Sequence, residues 1–283
     1  MRSILKTIIF KLLNKALILT NIQRNEKNLK EKLAHIVPDL TNQYTTFKID
    51  MDNQYLVNKV RGQHSFQMSI ALTAVEMLTI KNKGRGMDIN IVDIGDSSGV
   101  HLIYLNKLLE NNKINTLSVN LDSVAVDKIK DKGLNSLLCR AEELHLHKEG
   151  LKTDIFLSYE MLEHLLDPIS FLHTMAEKSE CEYFVITVPY VNKSRVACHF
   201  VNNGLSGDFQ AENTHIFELS PKDWDTIFKF SGWEIIYQDK YTQYPNYFPF
   251  NLTKYLWRKV DFDGFYGVIL KKNNNYSKKY LSW

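Results

Sequence analysis

The stretch INIVDIGDSSGVHLIYL, residues 89–105, joins a run of apolar residues, a turn of small polar residues and a segment with helical spacing of apolar side chains. Such a strand, turn and helix binds ligands in many parallel sheets, beyond the carboxyl end of the strand. A dinucleotide would require the pattern G-x-G-x-x-G, but Ser97 and Val100 occupy the second and third glycine positions. The carboxylates of Asp93 and Asp96 would repel a diphosphate and attract a cation. The turn therefore predicts a compact, positively charged ligand rather than a pyrophosphate.

The composition is that of an ordinary globular protein. The chain has 283 residues, of which 44% are hydrophobic and 24% charged, enough to form a substantial core. The 35 basic residues nearly balance the 32 acidic ones, so nothing requires a nucleic-acid partner, and we expect none. The three cysteines, Cys139, Cys181 and Cys198, have no C-x-x-C spacing. This excludes the pattern of a zinc knuckle or a disulfide framework and predicts a cytoplasmic protein.

The first 20 residues, MRSILKTIIFKLLNKALILT, have an apolar stretch that lysines interrupt. Because no small-residue cleavage site follows, we expect neither a signal peptide nor a membrane span. Apolar residues recur instead at helical spacing: Ile4, Leu5, Ile8, Ile9, Leu12, Leu13, Ala16 and Leu17. We expect this stripe to pack on the protein itself. The alternative is a basic helix in weak contact with a membrane surface, which would place the protein at the inner membrane face.

The pattern of elements changes at residue 89. Residues 20–85 favour helices, with a break around Pro38, whereas short apolar runs alternate with helical segments from residue 89 onward. This alternation predicts an α/β protein with right-handed crossovers and a mostly parallel sheet. The last two apolar runs are close enough in sequence to form an antiparallel pair.

Five stretches over residues 89–270 resemble the class I S-adenosylmethionine-dependent methyltransferases, and within them the small-molecule branch of type 11 and type 23 members. They are VDIGDSSG, LSVNLD, LCRAEELHL, DIFLSYEMLEHLLDP, and EYFVITVPY with the later HIFELSPKDWDTIFKFSGWEIIYQ. The resemblance implies a doubly wound, Rossmann-like sheet of seven mostly parallel strands with a final antiparallel strand, plus an N-terminal helical extension. It implies S-adenosyl-L-methionine as the cofactor, held by Asp93, Gly95, Asp96, Ser97, Gly99, Asp122, Ala141, Glu142 and Tyr159.

Two further expectations follow from the resemblance. Ser97 stands where the first motif of the family has glycine, so we expect a slightly shifted turn. We also expect residues 1–85 to form the helical extension or lid, and residues 86–283 the cofactor-binding domain. Insertions near residues 191–214 and 241–262 are expected to cover the methyl acceptor.

Four side chains are candidates for binding and catalysis. A carboxylate such as Asp122 accepts hydrogen bonds from both ribose hydroxyls, although it also suits a helix N-cap. Tyr159 follows the fourth predicted strand and either faces the sulfonium by cation–π attraction or packs in the core. His164 and His215 are the candidate general bases, since a histidine titrates near neutrality. Their alternative is a structural or capping role, which we also assign to Glu163.

Absent motifs narrow the acceptor. The chain has no N-P-P-Y-like motif after the fourth predicted strand and no cysteine that follows a proline, which argues against nucleic-acid methylation. His145 and His147 are separated by one residue and no carboxylate triad is recognisable, so we expect no metal. We expect a small-molecule acceptor with a hydroxyl group, with an amine or a carbon as alternatives. A sugar or surface-glycan precursor, as in polysaccharide biosynthesis, is the first candidate, and a quinone-like or other lipid-linked molecule is the second.

Two other interpretations and one further segment remain. The sequence YLWRK, residues 255–259, supplies the Tyr-x-x-x-Lys pair of a nucleotide-sugar dehydratase or reductase. Ser97 also leaves open a binding or scaffold protein that kept the fold without catalysis. In the segment VRGQHSFQ, the side chains of Arg61, His64 and Gln67 either form a lid over the cofactor or begin a helix.

Overall fold

The computed structural model describes residues 2–24, 27–45, 47–82, 88–147, 151–196, 215–259 and 264–280. The helices are α1 Arg2–Gln23, α2 Lys27–Ile36, α3 Gln54–Lys81, α4 Val100–Leu108, α5 Ser123–Asp131, α6 Pro168–Lys178, α7 Pro221–Phe230 and α8 Lys254–Lys259. The strands are β1 Ile89–Ile94, β2 Ile114–Asn120, β3 Ser136–Leu138, β4 Ile155–Tyr159, β5 Tyr183–Tyr190, β6 Arg195–Val196, β7 Phe217–Glu218, β8 Trp233–Thr242 and β9 Gly264–Lys272. Short 3-10 turns include Ala141–Leu146 and Leu162–His164.

Seven strands form one sheet in the order β3-β2-β1-β4-β5-β9-β8. The first five strands pair in parallel, whereas β9 runs antiparallel to both of its neighbours, β5 and β8. Strands β6 and β7 form a separate antiparallel pair beside the sheet. The predicted fold, a mostly parallel seven-stranded sheet with an antiparallel last strand, is confirmed.

The central strands are apolar along their whole length because helices cover both faces of the sheet. Every residue of β4 and β5 is buried. Successive side chains point to opposite faces, so Leu157 packs in the core under α3 and α4, and Phe156 packs in the core under α6 and α7. This two-sided burial leaves the carboxyl ends of the strands as the place where a polar pocket can form.

Helix α3 crosses one face of the sheet and differs from the sequence expectation. It begins after its N-cap Asn53 and continues to Lys81, so the segment VRGQHSFQ lies in its interior and not at a helix start. Arg61 is buried and does not cover the ligand cavity described below. Its guanidinium donates hydrogen bonds to the Pro38 carbonyl at 3.0 Å and to the Tyr104 hydroxyl at 2.9 Å. Arg61 thereby satisfies carbonyls at the end of α2, which explains its burial.

Helix α1 packs on the protein only in its second half. Leu13 and Leu17 are buried against Trp257. In contrast Ile4, Leu5 and Ile8 are 67%, 59% and 57% exposed. The prediction that the apolar stripe packs internally is therefore confirmed for the last turns of α1 and wrong for the first ones. Among the described residues, no helix is both long and apolar enough to cross a membrane.

Candidate active site

A cavity of about 820 Å³ opens at the carboxyl ends of β1, β2 and β4. This volume lies within the range of small-molecule and cofactor sites. The cavity contains six of the nine predicted cofactor-binding residues and both predicted bases: Gly95, Ser97, Asp122, Ala141, Glu142, Tyr159, His164 and His215. Parallel topology thus brings together residues at the ends of β1, β2, β3 and β4, and His215 joins them from the segment before β7.

The first turn has the backbone that its glycines predict. Gly95 and Gly99 have φ values of +91° and +79°, in the left-handed region that favours glycine. A Cβ on Gly95 would lie 2.9 Å from Cγ of Met161, so a side chain there would have to displace the methionine. Ser97 is accommodated because its Oγ donates a hydrogen bond to the backbone carbonyl of Gln43 at 3.0 Å. The serine therefore anchors the segment before α3 to the turn.

Asp93 and Asp96 lie behind the cavity wall and do not line it. Both are buried, and His101 Nδ1 lies 3.2 Å from Asp93 Oδ2 and 3.7 Å from Asp96 Oδ1. Burial lowers the pKa of His101, but the hydrogen bond to Asp93 and the charges of Asp93, Asp96 and Glu160 outweigh burial, so the pKa is raised. The His101 ring lines the cavity and packs edge-on to Tyr159, with ring centroids 4.7 Å apart. The two carboxylates therefore act on the cavity through this imidazole, which the sequence did not reveal.

Gly99 likewise lies outside the cavity lining and serves as the N-cap of α4. Its left-handed backbone lets the chain enter the helix directly after the turn. The first turns of α4 begin at this point, which directs the positive end of the helix dipole toward the turn.

Asp122 combines both roles that the sequence allows. One carboxylate oxygen accepts a hydrogen bond from the Val124 backbone N–H at 2.9 Å and so caps α5. The residue also lines the cavity. Its backbone N–H donates to Asn120 Oδ1 at 2.8 Å, which fixes the turn after β2. Ala141 and Glu142 form the next part of the wall, where Arg140 pairs with Glu142 at 3.2 Å.

Tyr159 closes the cavity floor at the end of β4. It is buried, and its hydroxyl lies 3.4 Å from the Gln67 carbonyl oxygen, to which it donates a weak hydrogen bond. Burial raises the pKa of the phenol well above its ordinary value, so it stays protonated and neutral. The ring is therefore available as a neutral aromatic surface beside His101.

The two predicted bases meet at the other end of the cavity. The rings of His164 and His215 pack edge to face, with centroids 5.1 Å apart. The Ile216 N–H donates to the Glu163 carbonyl at 2.7 Å, which holds the segment before β7 against the turn after β4. His215 Nδ1 lies 3.0 Å from Glu218 Oε1, and Arg195 pairs with the same carboxylate. No local sequence pattern predicts that these two histidines lie side by side.

Glu163 and Glu160 complete this end of the cavity. Both residues line the cavity, and the Glu163 side chain is fully buried. The sequence predicted only a structural role for Glu163 and not a place in the cavity wall. Glu160 has a φ of +51°, and its Oε1 accepts a hydrogen bond from Thr187 Oγ1 at 2.8 Å. Burial raises the pKa of Glu160 to about 8. Glu160 follows β4 directly, so its position at a strand end was the signal that could have identified it.

Other cavity residues come from the N-terminal segments. Tyr44 and Phe47 stack with ring centroids 4.4 Å apart, and both line the cavity. His64 and Gln67 of α3 also line it, although as part of a fixed helical wall. Burial lowers the pKa of His64 well below its ordinary value, so this imidazole is neutral.

The described parts of the YLWRK sequence and of the two expected insertions do not line the cavity. Tyr255 of the YLWRK sequence is 60% exposed and does not line the cavity, and the Lys259 side chain lies outside the described residues. Most of the expected acceptor insertion near 191–214 also lies outside them. Within the described part of the second insertion, Phe248 and Leu252 are exposed and lie away from the cavity.

Neither a protein-family model nor a curated protein sequence matches this chain. Solved structures do. One belongs to the complex of the Haloferax volcanii Trm112 methyltransferase activator with a protein described as a methyltransferase, at 15% identity and a TM-score of 0.51 over 76% of this chain and 92% of that one. A SAM-dependent methyltransferase from Archaeoglobus fulgidus also matches, at 15% identity and a TM-score of 0.45 over 71% and 94% of the two chains. From its sheet order and the first of these likenesses, the chain has the class I S-adenosylmethionine-dependent methyltransferase fold.

Proposed function

We propose that the protein is an S-adenosylmethionine-dependent methyltransferase that acts on a hydroxyl group of a small molecule. The main support for this proposal is that one cavity is lined by Gly95, Asp122 and Tyr159 and also by the His164–His215 pair. When bound, the cofactor supplies an electrophilic methyl group on a sulfonium. The protein then needs to align the acceptor, exclude water and accommodate the acceptor proton.

The cavity residues fit the cofactor. The Asp122 oxygen that does not cap α5 is available for the ribose hydroxyls, and the neutral Tyr159 ring suits the sulfonium. His101, whose pKa is raised by its carboxylate neighbours, and the N-terminus of α4 suit a carboxylate. Tyr44 and Phe47 cover the cavity from the N-terminal side, consistent with a lid role for residues 1–85.

The acceptor belongs at the His164–His215 end. Two imidazoles close together can remove the proton of a hydroxyl as methyl transfer proceeds. The acceptor class follows the sequence expectation: a sugar or surface-glycan precursor first, and a quinone-like or other lipid-linked molecule second. An amine or carbon acceptor is the alternative.

Calorimetry with two nucleotides tests the cofactor. We expect the full-length protein to bind S-adenosylhomocysteine and not NAD. Binding of NAD instead would favour the dehydratase or reductase interpretation, and binding of neither nucleotide would favour a scaffold protein. Transfer of a tritiated methyl group into fractionated cell extract, followed by identification of the labelled product, then defines the acceptor.

We also propose that the first turns of α1 contact a membrane surface. Their exposed apolar side chains, Ile4, Leu5 and Ile8, alternate with Lys6 and Lys11, a pattern suited to anionic lipids. Co-sedimentation with vesicles of phosphatidylcholine and phosphatidylglycerol tests this. We expect salt-sensitive binding that Leu5→Ser with Ile8→Ser abolishes without a change in melting temperature, and no binding by the wild type would refute the proposal.

A further inference from the structure

We propose that Glu163, His164 and His215 hold a divalent metal ion at the acceptor end of the cavity. This inference deepens the proposed function and rests on it for the identity of the reaction. It replaces the sequence expectation that the protein uses no metal. Each of the three residues offers one ligand atom, and these atoms all lie within 4.8 Å of one another.

The distances suit a site that a cation would tighten. His164 Nε2 lies 3.8 Å from Glu163 Oε1. Ligand atoms about 2.1 Å from a common metal are separated by roughly 3–3.5 Å in tetrahedral or octahedral geometry. Because the ligand atoms lie at most 4.8 Å apart, a shift of about 1 Å in each side-chain end is enough to reach this spacing. Such a shift is small beside the motion that rotamers allow.

The Glu163 carboxylate is the independent observation that points to a ligand. Its side chain is fully buried, and among the described residues neither oxygen accepts a hydrogen bond from another residue. Glu160, a half-buried carboxylate, lines the same end of the cavity. An isolated buried carboxylate is costly, and it is normally paired or bound to a metal. The two histidines beside it are the ligands that such a metal would require.

The environment of His215 orients it as a ligand. Its Nδ1 is engaged by Glu218, which leaves Nε2 as the nitrogen available to a metal. Arg195 holds the Glu218 carboxylate in turn. Ligating histidines in metalloproteins almost always place their second ring nitrogen against a carboxylate or carbonyl in this way. The pair β6–β7 therefore supplies a prepared ligand and not merely a nearby imidazole.

Two imidazoles and one carboxylate suit a first-row divalent ion such as Mn²⁺ or Zn²⁺ and leave coordination positions open to the cavity. The acceptor class is then a molecule with two adjacent oxygens, such as a vicinal diol or a catechol, that can bind the ion together. Metal binding lowers the pKa of the reacting hydroxyl, whose proton passes to solvent. The oxygen forms its bond to the methyl carbon as the carbon–sulfur bond breaks, and the sulfonium becomes a neutral thioether. In this arrangement the histidines are metal ligands instead of bases, and the metal ion takes over the activation of the hydroxyl.

Metal binding is tested on the full-length chain after treatment with EDTA and its removal. Mn²⁺ is titrated by electron paramagnetic resonance and Zn²⁺ by calorimetry. We expect one tight site per chain, weakened at least tenfold by Glu163→Gln and by His215→Ala. His35→Ala, on α2 and away from the cavity, is the matched control and should leave the site intact. Glu163→Gln is nearly isosteric and removes a buried charge, so we expect it to fold. Circular dichroism checks its folding before the titration.

The outcomes separate this inference from the proposed function. The metal site is overturned if the wild type binds neither Mn²⁺ nor Zn²⁺, or if Glu163→Gln binds each metal as tightly as the wild type does. Either result counts against the site even if S-adenosylhomocysteine binds. Metal binding that depends on Glu163 without binding of S-adenosylhomocysteine supports the site and refutes the methyltransferase. A melting temperature that Mn²⁺ raises in the wild type and in His35→Ala, but not in Glu163→Gln, is a second expected result.

Discussion

Asp122 offers a test in which cofactor binding and folding can be separated. One of its oxygens caps α5 through the Val124 N–H, and the residue also lines the cavity. Replacement by alanine removes both interactions, whereas asparagine retains a good N-cap and loses the charge. The two variants therefore distinguish a ribose ligand from a simple helix cap.

The expected magnitudes follow from these contacts. Hydrogen bonds to a charged group contribute about 1.5–3 kcal/mol, so Asp122→Ala should weaken S-adenosylhomocysteine binding roughly 10- to 150-fold. Loss of the cap should cost about 1 kcal/mol of the free energy of unfolding, or about 2–4 °C in melting temperature. Asp122→Asn should keep the wild-type melting temperature within about 1 °C while its affinity still falls.

Calorimetry and thermal unfolding measure the two effects on the same samples. An Asp122→Ala protein that melts earlier but binds S-adenosylhomocysteine with unchanged affinity would refute the cofactor role and leave Asp122 as a cap. If Asp122→Asn binds as the wild type does, the charge is not needed at the ribose. Asp127→Ala, on the same helix and outside the cavity lining, controls for a general change in surface charge.

Three further predictions concern packing, the first turn and pH. Leu17→Ala should lower the free energy of unfolding by about 2–5 kcal/mol, while Ile8→Ala should change it by less than about 0.5 kcal/mol, as measured by urea unfolding; equal effects would contradict the half-packed helix. Gly95→Ala should destabilise the fold by about 1 kcal/mol or more, because residue 95 has a positive φ and a Cβ there would meet the side chain of Met161. An unchanged melting temperature would mean that the turn relaxes to accept the alanine. Burial and a neighbouring carboxylate raise the pKa of Asp96 to about 7, so the folded state keeps a proton that the unfolded state releases near pH 4. The contribution of Asp96 to stability should fall as pH rises from about 4 to 7, and Asp96→Asn should reduce this dependence in urea unfolding; identical pH profiles would exclude Asp96 as its source.

The order of the strands and helices was predictable because it depends on local patterns. Buried parallel strands read as continuous apolar runs, and the turn after β1 requires glycine wherever its backbone is left-handed, as at Gly95. Asp122 could be identified because it follows a strand end, where a parallel sheet places its ligands. Each of these features depends on residues that are close together in the sequence.

The tertiary structure decided which side chains meet. Asp93 reaches the cavity only through His101, because it lies on the same face of β1 as Ile91, the face on which α3 and α4 pack. The gathering of Glu163, His164 and His215 depends on the β6–β7 pair, whose contact with the turn after β4 no local pattern records. Exposure of the first turns of α1, in contrast to the buried Leu13 and Leu17, likewise appears only in the assembled fold. Periodicity shows that a helix has an apolar face, but only the assembled fold determines what, if anything, covers it.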